Sequence, residues 1–372
     1  MSINTQSTSS TLSRKNSLTS GQRPTWLVPV VMVGAVVVGA AVSALIGFGV
    51  ATWSLFSAAI FLVFAPVAVG VIEGRRKGAD AALTYVVHAA FIVALIPLIS
   101  VIWTVLVRGV PTMSLDFLTT TMGGVTGSGD RAADRAGDPA LGGALHAILG
   151  TVAVTFWTTL FSVPIGLLTA IYLVEYSNGN WLGKVITFLV DVMTGVPSIV
   201  AGLFASALFG LLLGPNTRMG IIGAVALALL MIPTVVKSTE EMLKIVPHEL
   251  REASYALGVR KWRTILKVVI PTSISGIASG VTLAIARVIG ETAPLLVTVG
   301  YFQRVNLNVF NDWMATLPTF IYQQLMRPVA PVAPDPSTDR AWAAALILIV
   351  FVMLLNLIAR LIAQAFAPKT GR

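Results

Sequence analysis

Uncharged apolar runs of 20 or more residues recur along this chain, and no other feature narrows its possible folds as much. A helix rises ~1.5 Å per residue, so 20 residues cross a hydrocarbon layer ~30 Å thick. Spans are expected near 26–48, 50–72, 82–106, 143–172, 185–213, 220–236, 272–299 and 341–364, eight in all. The stretch 185–213, rich in Gly and Pro, is the least suited to one straight helix. The expected class is therefore an all-α membrane protein.

Composition agrees. Of 372 residues 56% are hydrophobic and only 11% charged, with mean hydropathy +0.86; a soluble domain carries about a quarter charged residues. The absence of cysteine excludes disulfides, thiolate metal sites and cysteine nucleophiles. His88, His146 and His248 form no ligand spacing, so no metal site is expected. The net charge of +9 fits basic loops at a membrane surface rather than nucleic acid, because the basic residues form no stripe interleaved with aromatics. Membrane lipid is the expected surrounding partner.

Residues 1–25 are rich in Ser, Thr, Asn and Gln and are expected to form a disordered cytoplasmic tail. The first apolar run is too long, and its polar lead too extended, for a cleaved signal peptide. Placing the N-terminus inside puts 17 of the 25 basic residues in cytoplasmic segments and seven outside, with Arg287 alone inside a span. That bias sets the expected orientation, with both termini cytoplasmic. Of the longer outside segments, 107–142 contains GSGDRAADRAGD and reads as a mobile loop. Within 301–340, NVFNDWMATLPTFIYQQL reads as a short helix at the outer interface anchored by Trp313 and Tyr322, followed by a Pro-rich linker.

The cytoplasmic loop 237–271 carries four signals in order. Pro247 suits a first helical turn. HELREASYAL has helical composition, with Leu250, Ala253, Ser254 and Leu257 on one face. Gly258 stands where a left-handed cap is expected, and a second, basic helix from Arg260 to Lys267 leads to Pro271. The narrow face of small residues, Ala253, Ser254 and Ala256, would let another protein approach the backbone. Pattern alone leaves two readings, a docking helix and an ordinary connector.

The segment Glu252-Ala253-Ser254-Tyr255-Ala256-Leu257-Gly258, followed by Ile270-Pro271, resembles the EAA loop of ABC importer permeases. The resemblance implies that Glu249, Glu252, Ala253, Ser254, Ala256, Leu257 and Gly258 form a coupling helix near 248–258, seated on a separate ATPase dimer. No G-x-x-x-x-G-K-[ST] occurs in this chain, so no cofactor is expected on it; ATP and Mg would sit on the partner ATPase.

In the seventh expected span, ARVIGETAPLL places Arg287 ~24 Å from Pro271 along a helix. An arginine there costs roughly 2.5–3.5 kcal/mol on insertion scales, so it should face a protein interior or a water-filled cavity. Glu291, four residues on, is expected on the same face as its partner. The pair is either a structural ion pair or part of an anion pathway, in which the guanidinium offers bidentate donors to an oxyanion and Thr292 adds a hydroxyl. The same segment, with GGALHAILGT, Pro164/Gly166, AIYLVEY and GVPSIVAGLF, resembles the PstA-type permeases of phosphate importers. That resemblance implies the type I ABC importer permease fold: six core spans within 81–365, two extra N-terminal helices in 26–80, and a cytoplasmic tail at 366–372. It also implies a phosphate pathway through Arg287 and Glu291, a sister permease, and an extracellular phosphate-binding protein, all in the plasma (inner) membrane. Pro197 breaks the fifth span, where Thr194 and Ser198 could satisfy freed backbone groups or line the path. The alternatives are a permease for sulfate or molybdate and an ion-coupled secondary anion transporter. The latter predicts an inverted repeat of broken spans, which the sequence does not display.

Overall fold

The structure is a computed structural model that describes residues 23–333 and 335–366; the expected tails at 1–25 and 366–372 fall almost wholly outside them. The described residues are helical, without strands. Among the described residues seven helices are long and apolar enough to span a membrane, and a bent pair makes an eighth if it crosses as one span. The chain divides into two compact units, one through Ile102 and one from Trp103.

In the first unit α1 (Leu27–Ile46) and α2 (Val50–Glu73) form a hairpin, and α3 (Arg75–Thr112) begins. Small and hydroxylated residues let these helices approach closely, as expected where lipid gives no hydrophobic drive for association. Ser43 and Thr52 share a hydrogen bond of 2.8 Å, and Trp53 Nε1 donates to the Val36 carbonyl at 3.0 Å. A Cβ added to Gly78 would come 2.7 Å from the Gly70 Cα. The expected boundary at 80/81 falls inside α3, which is one unbroken helix.

The second unit adds α4 (Leu115–Thr119), α5 (Gly127–Ala136), α6 (Leu145–Ile171), α7 (Trp181–Thr194), α8 (Ser198–Leu213) and α9 (Gly220–Ile245). It continues with α10 (His248–Ala256), α11 (Lys261–Thr264), α12 (Ile270–Ile289), α13 (Ala293–Thr298), α14 (Leu317–Met326) and α15 (Asp335–Phe366). The core is organised around α9, which is apolar on nearly every side and the most buried spanning helix. Along α6 the packing falls into three zones. Ala144 and Ala147 meet Phe320 and Ala344 at its start. Val154 meets Leu227, Val288 and Leu295 in the middle. Ala170 meets Val236, Leu243 and Val269 at its end. Its 27 residues separate the first and last zones by ~40 Å.

Two expectations about the outer segments are corrected. GSGDRAADRAGD is largely the helix α5, started by the Thr126 side chain accepting from the Gly129 N–H and ended by left-handed Gly137. Its Asp130 is fully buried in an ion pair with Arg340, 2.6 Å apart. The same guanidinium also donates to Gln324, Ser337 and the Leu141 carbonyl. The piece expected at the outer interface ends in α14, whose Leu317 and Phe320 are buried against α6 and α15, while the expected anchors Trp313 and Tyr322 stay exposed. Composition had suggested exposure, but a carboxylate and a guanidinium far apart in sequence supply the partner each needs for burial.

Candidate functional site

Two breaks in spanning helices lie within the second unit. At 195–197 the chain turns by 107° between α7 and α8. Pro197 lacks an N–H and forbids continuation. Thr194 turns its hydroxyl back to the Val190 carbonyl at 2.9 Å, while Ser198 opens α8.

The second break falls at 290–292. Pro294 would clash with the carbonyl four residues back, on Gly290, so α12 ends at Ile289 and α13 restarts at Ala293. Thr292 donates weakly to that Gly290 carbonyl at 3.5 Å. This corrects the expected straight span 272–299. Glu291 lies beyond the helix end, half-buried, and forms no ion pair with Arg287 among the described residues. Arg287 sits on the exposed face of the last turn of α12 and makes no hydrogen bond among the described residues.

The fold brings the two breaks together. A Cβ on Gly202 of α8 would lie 2.6 Å from the Pro294 Cα of α13, so only glycine permits this contact. Gly202 is four residues, or ~6 Å, after Ser198, and Pro294 is two after Thr292. The pathway residues expected from two separate stretches of sequence therefore flank one helix crossing.

The EAA segment forms α10. Pro247 is the residue before the helix rather than its first turn. Gly258 is left-handed, φ +74°; its N–H donates to the Tyr255 carbonyl at 2.9 Å, and the Val259 N–H to that of Ser254 at 3.2 Å. Those two bonds make a Schellman cap. Glu249, Glu252, Ala253, Ala256 and Leu257 are exposed, Leu257 at 83%. Ser254, expected on the docking face, is buried, and its hydroxyl pairs with that of Thr264 at 2.8 Å. It secures α10 to α11. Burial first, and then the Glu175 carboxylate nearby, raise the Tyr255 hydroxyl above the ordinary tyrosine pKa.

A family model described as a binding-protein-dependent transport system inner membrane component matches residues 162–372. The chain belongs to that family. Both broken spans and α10 of this permease lie within the matched residues. It is 45% identical over 288 residues to the phosphate transport system permease protein PstA 1 of Mycobacterium tuberculosis (CDC 1551 / Oshkosh), covering 77% of this chain and 90% of that one. It is 42% identical to the phosphate transport system permease protein PstA of Mycobacterium leprae, covering 77% and 89%. With that of Yersinia pestis it shares 41% over 228 residues, covering 61% and 74%.

Sequence reasoning missed how the permease holds α10. Arg251 donates to Glu175 Oε1 from Nε at 3.1 Å and from a terminal nitrogen at 2.9 Å. It also donates to the carbonyls of Val246 at 2.6 Å and Leu243 at 2.9 Å. Both side chains are buried, 9% and 5% exposed. Glu175 sits on a π-helical turn, Tyr172–Tyr176, that continues α6, and such turns re-aim side chains locally. The signal was in AIYLVEY, whose acid stood next to a span end without an assigned partner. A second missed pair is Lys237 on α9 with Asp191 on α7, 2.7 Å apart.

Proposed function

We propose that this permease moves inorganic phosphate inward across the plasma (inner) membrane as one subunit of an ATP-driven importer. The observation that carries the reading is the 41–45% identity to proteins named phosphate transport system permeases. The geometry supports it. Arg287, exposed near a helix break and without a bonded partner among the described residues, offers an oxyanion a planar set of donors, with Glu291 and Thr292 on the break itself and Thr194 and Ser198 across the Gly202–Pro294 crossing.

The partners follow from the same reading. A sister permease covers the exposed faces of the pathway helices, and an extracellular phosphate-binding protein delivers the anion. An ATPase dimer carrying ATP and Mg receives α10, whose exposed Ala253 and Ala256 are short enough for close approach and whose exposed Leu250 and Leu257 offer apolar contact. Closure of that dimer pushes α10, and the Arg251 anchor passes the displacement to the ends of α6 and α9. The basic-residue bias supports a cytoplasmic α10 and cytoplasmic termini. The test is ATP-dependent uptake of radiolabelled phosphate by the complex reconstituted in proteoliposomes. ATP-dependent uptake of radiolabelled sulfate or molybdate by the same proteoliposomes, with none of phosphate, would overturn the substrate assignment.

A further inference from the structure

We infer that Lys237 is a second cationic station for the translocated anion, on the α10 side of Arg287, with Asp191 as the counter-ion that the anion displaces. The inference rests on the phosphate-pathway reading above.

The Asp191–Lys237 pair is half open, its side chains 55% and 45% exposed at an N–O distance of 2.7 Å. An exposed pair contributes little to stability, so packing does not require it. Asp191 nevertheless lies inside the span that carries the bend, and Lys237 stands where α9 leaves its apolar run, a level at which ionisable residues face water or protein rather than lipid.

Its position is that of a pathway group. Asp191 precedes Thr194 by three residues and shares its face of α7, one turn before the bend. Leu230, Thr234 and Lys237 recur at helical spacing along α9. Leu230 meets the bend across a wholly apolar cavity of about 270 Å³ lined also by Met193, Val196 and Val200, so the first polar groups on this face of α9 are Thr234 and Lys237. Lys237 therefore continues the face of α9 that fronts the break.

The level of Lys237 follows from the antiparallel register of α9 and α12. A Cβ on Gly280 would come 2.6 Å from Ser238 Oγ, and one on Gly276 would run into Met242. That register sets Lys237 opposite residue 281, six residues and ~9 Å from Arg287 toward α10.

The two cations differ in a useful way. The guanidinium of Arg287 binds an oxyanion through a planar fork, whereas the Lys237 ammonium is a hydrated point charge with a looser hold. Asp191 competes for that ammonium, so an anion arriving from Arg287 is attracted and then released rather than trapped.

The test uses the reconstituted complex. The neutral pair D191N/K237Q should assemble and hydrolyse ATP yet lose phosphate uptake by about tenfold or more, and K237R should recover uptake relative to K237Q. Because the chain has no cysteine, T234C gives this subunit a single thiol one turn from Lys237, with labelling read on the separated subunit. An anionic methanethiosulfonate should label it about fivefold faster than a cationic one, phosphate should slow labelling, and K237Q should remove the preference. Uptake by D191N/K237Q within twofold of the parent, or equal labelling by both reagents, overturns the inference. A parent complex that takes up no phosphate sinks the substrate reading instead. The labelling ratio then decides alone whether Lys237 presents an anion site.

Discussion

Arg251 uses one guanidinium to make four hydrogen bonds, two to Glu175 and one each to the carbonyls of Leu243 and Val246. Removing Glu175 leaves a buried charge without its counter-ion, a cost of about 3–5 kcal/mol. Glu175→Ala should therefore lower the thermal midpoint of the purified complex strongly. Pairing Glu175→Leu with Arg251→Met should return most of it, because an apolar replacement of a buried ion pair is often neutral. A midpoint unmoved by Glu175→Ala would show that the pair is not an anchor. Arg287 poses the opposite case: it has no bonded partner among the described residues, so Arg287→Ala orphans nothing. That variant should assemble and keep its midpoint while phosphate uptake falls by an order of magnitude or more; a lost midpoint would make Arg287 structural. The sequence made Arg287 conspicuous, since a lone cation in an apolar run is costly wherever it lies. Ser254 was misread because a small residue suits both a docking face and a tight internal contact, and only its hydrogen bond to Thr264 separates the two.

The helices themselves divide into those whose ends were written locally and those whose ends were not. The turn at 195–197 was legible because Gly195 and Pro197 stand together. The break at 290–292 has the same ingredients, Gly290 and Pro294, but four residues apart, and the charges of Arg287 and Glu291 invited a reading as one continuous turn. α10 was legible almost to the residue through Pro247 and Gly258. A Cβ on Gly258 meets nothing within 4 Å, so the cost of substitution there is purely conformational, of order 1–3 kcal/mol. Gly258→Val should uncouple ATP hydrolysis from uptake in vesicles, whereas Gly258→Asn, which tolerates the left-handed region, should retain coupling. Equal behaviour of the two would remove the cap from the mechanism. At the α8–α13 crossing the limit is steric: Gly202→Ile should prevent assembly of the complex, read by co-purification, because Pro294 backbone occupies the space.

At the scale of the whole molecule, the number of crossings depends on the bent pair α7–α8. Seven crossings put the termini on opposite sides of the membrane, and eight put them on the same side. The basic-residue bias favours eight, so tags at both ends should be reached by protease only in inverted vesicles; a tag exposed in right-side-out vesicles would make the pair a re-entrant loop. The segments outside the membrane were the least legible part of the chain, since their order depends on partners remote in sequence. Asp130 and Arg340 are 210 residues apart, both wholly buried. That distance has a biosynthetic consequence. Spans emerge from the ribosome in order, so α5 must wait through the insertion of α6 to α14 before its counter-charge exists. A chain stopped short of α15 lacks the guanidinium that lets the Asp130 carboxylate be buried, so α5 takes its final place only after the last span has been made.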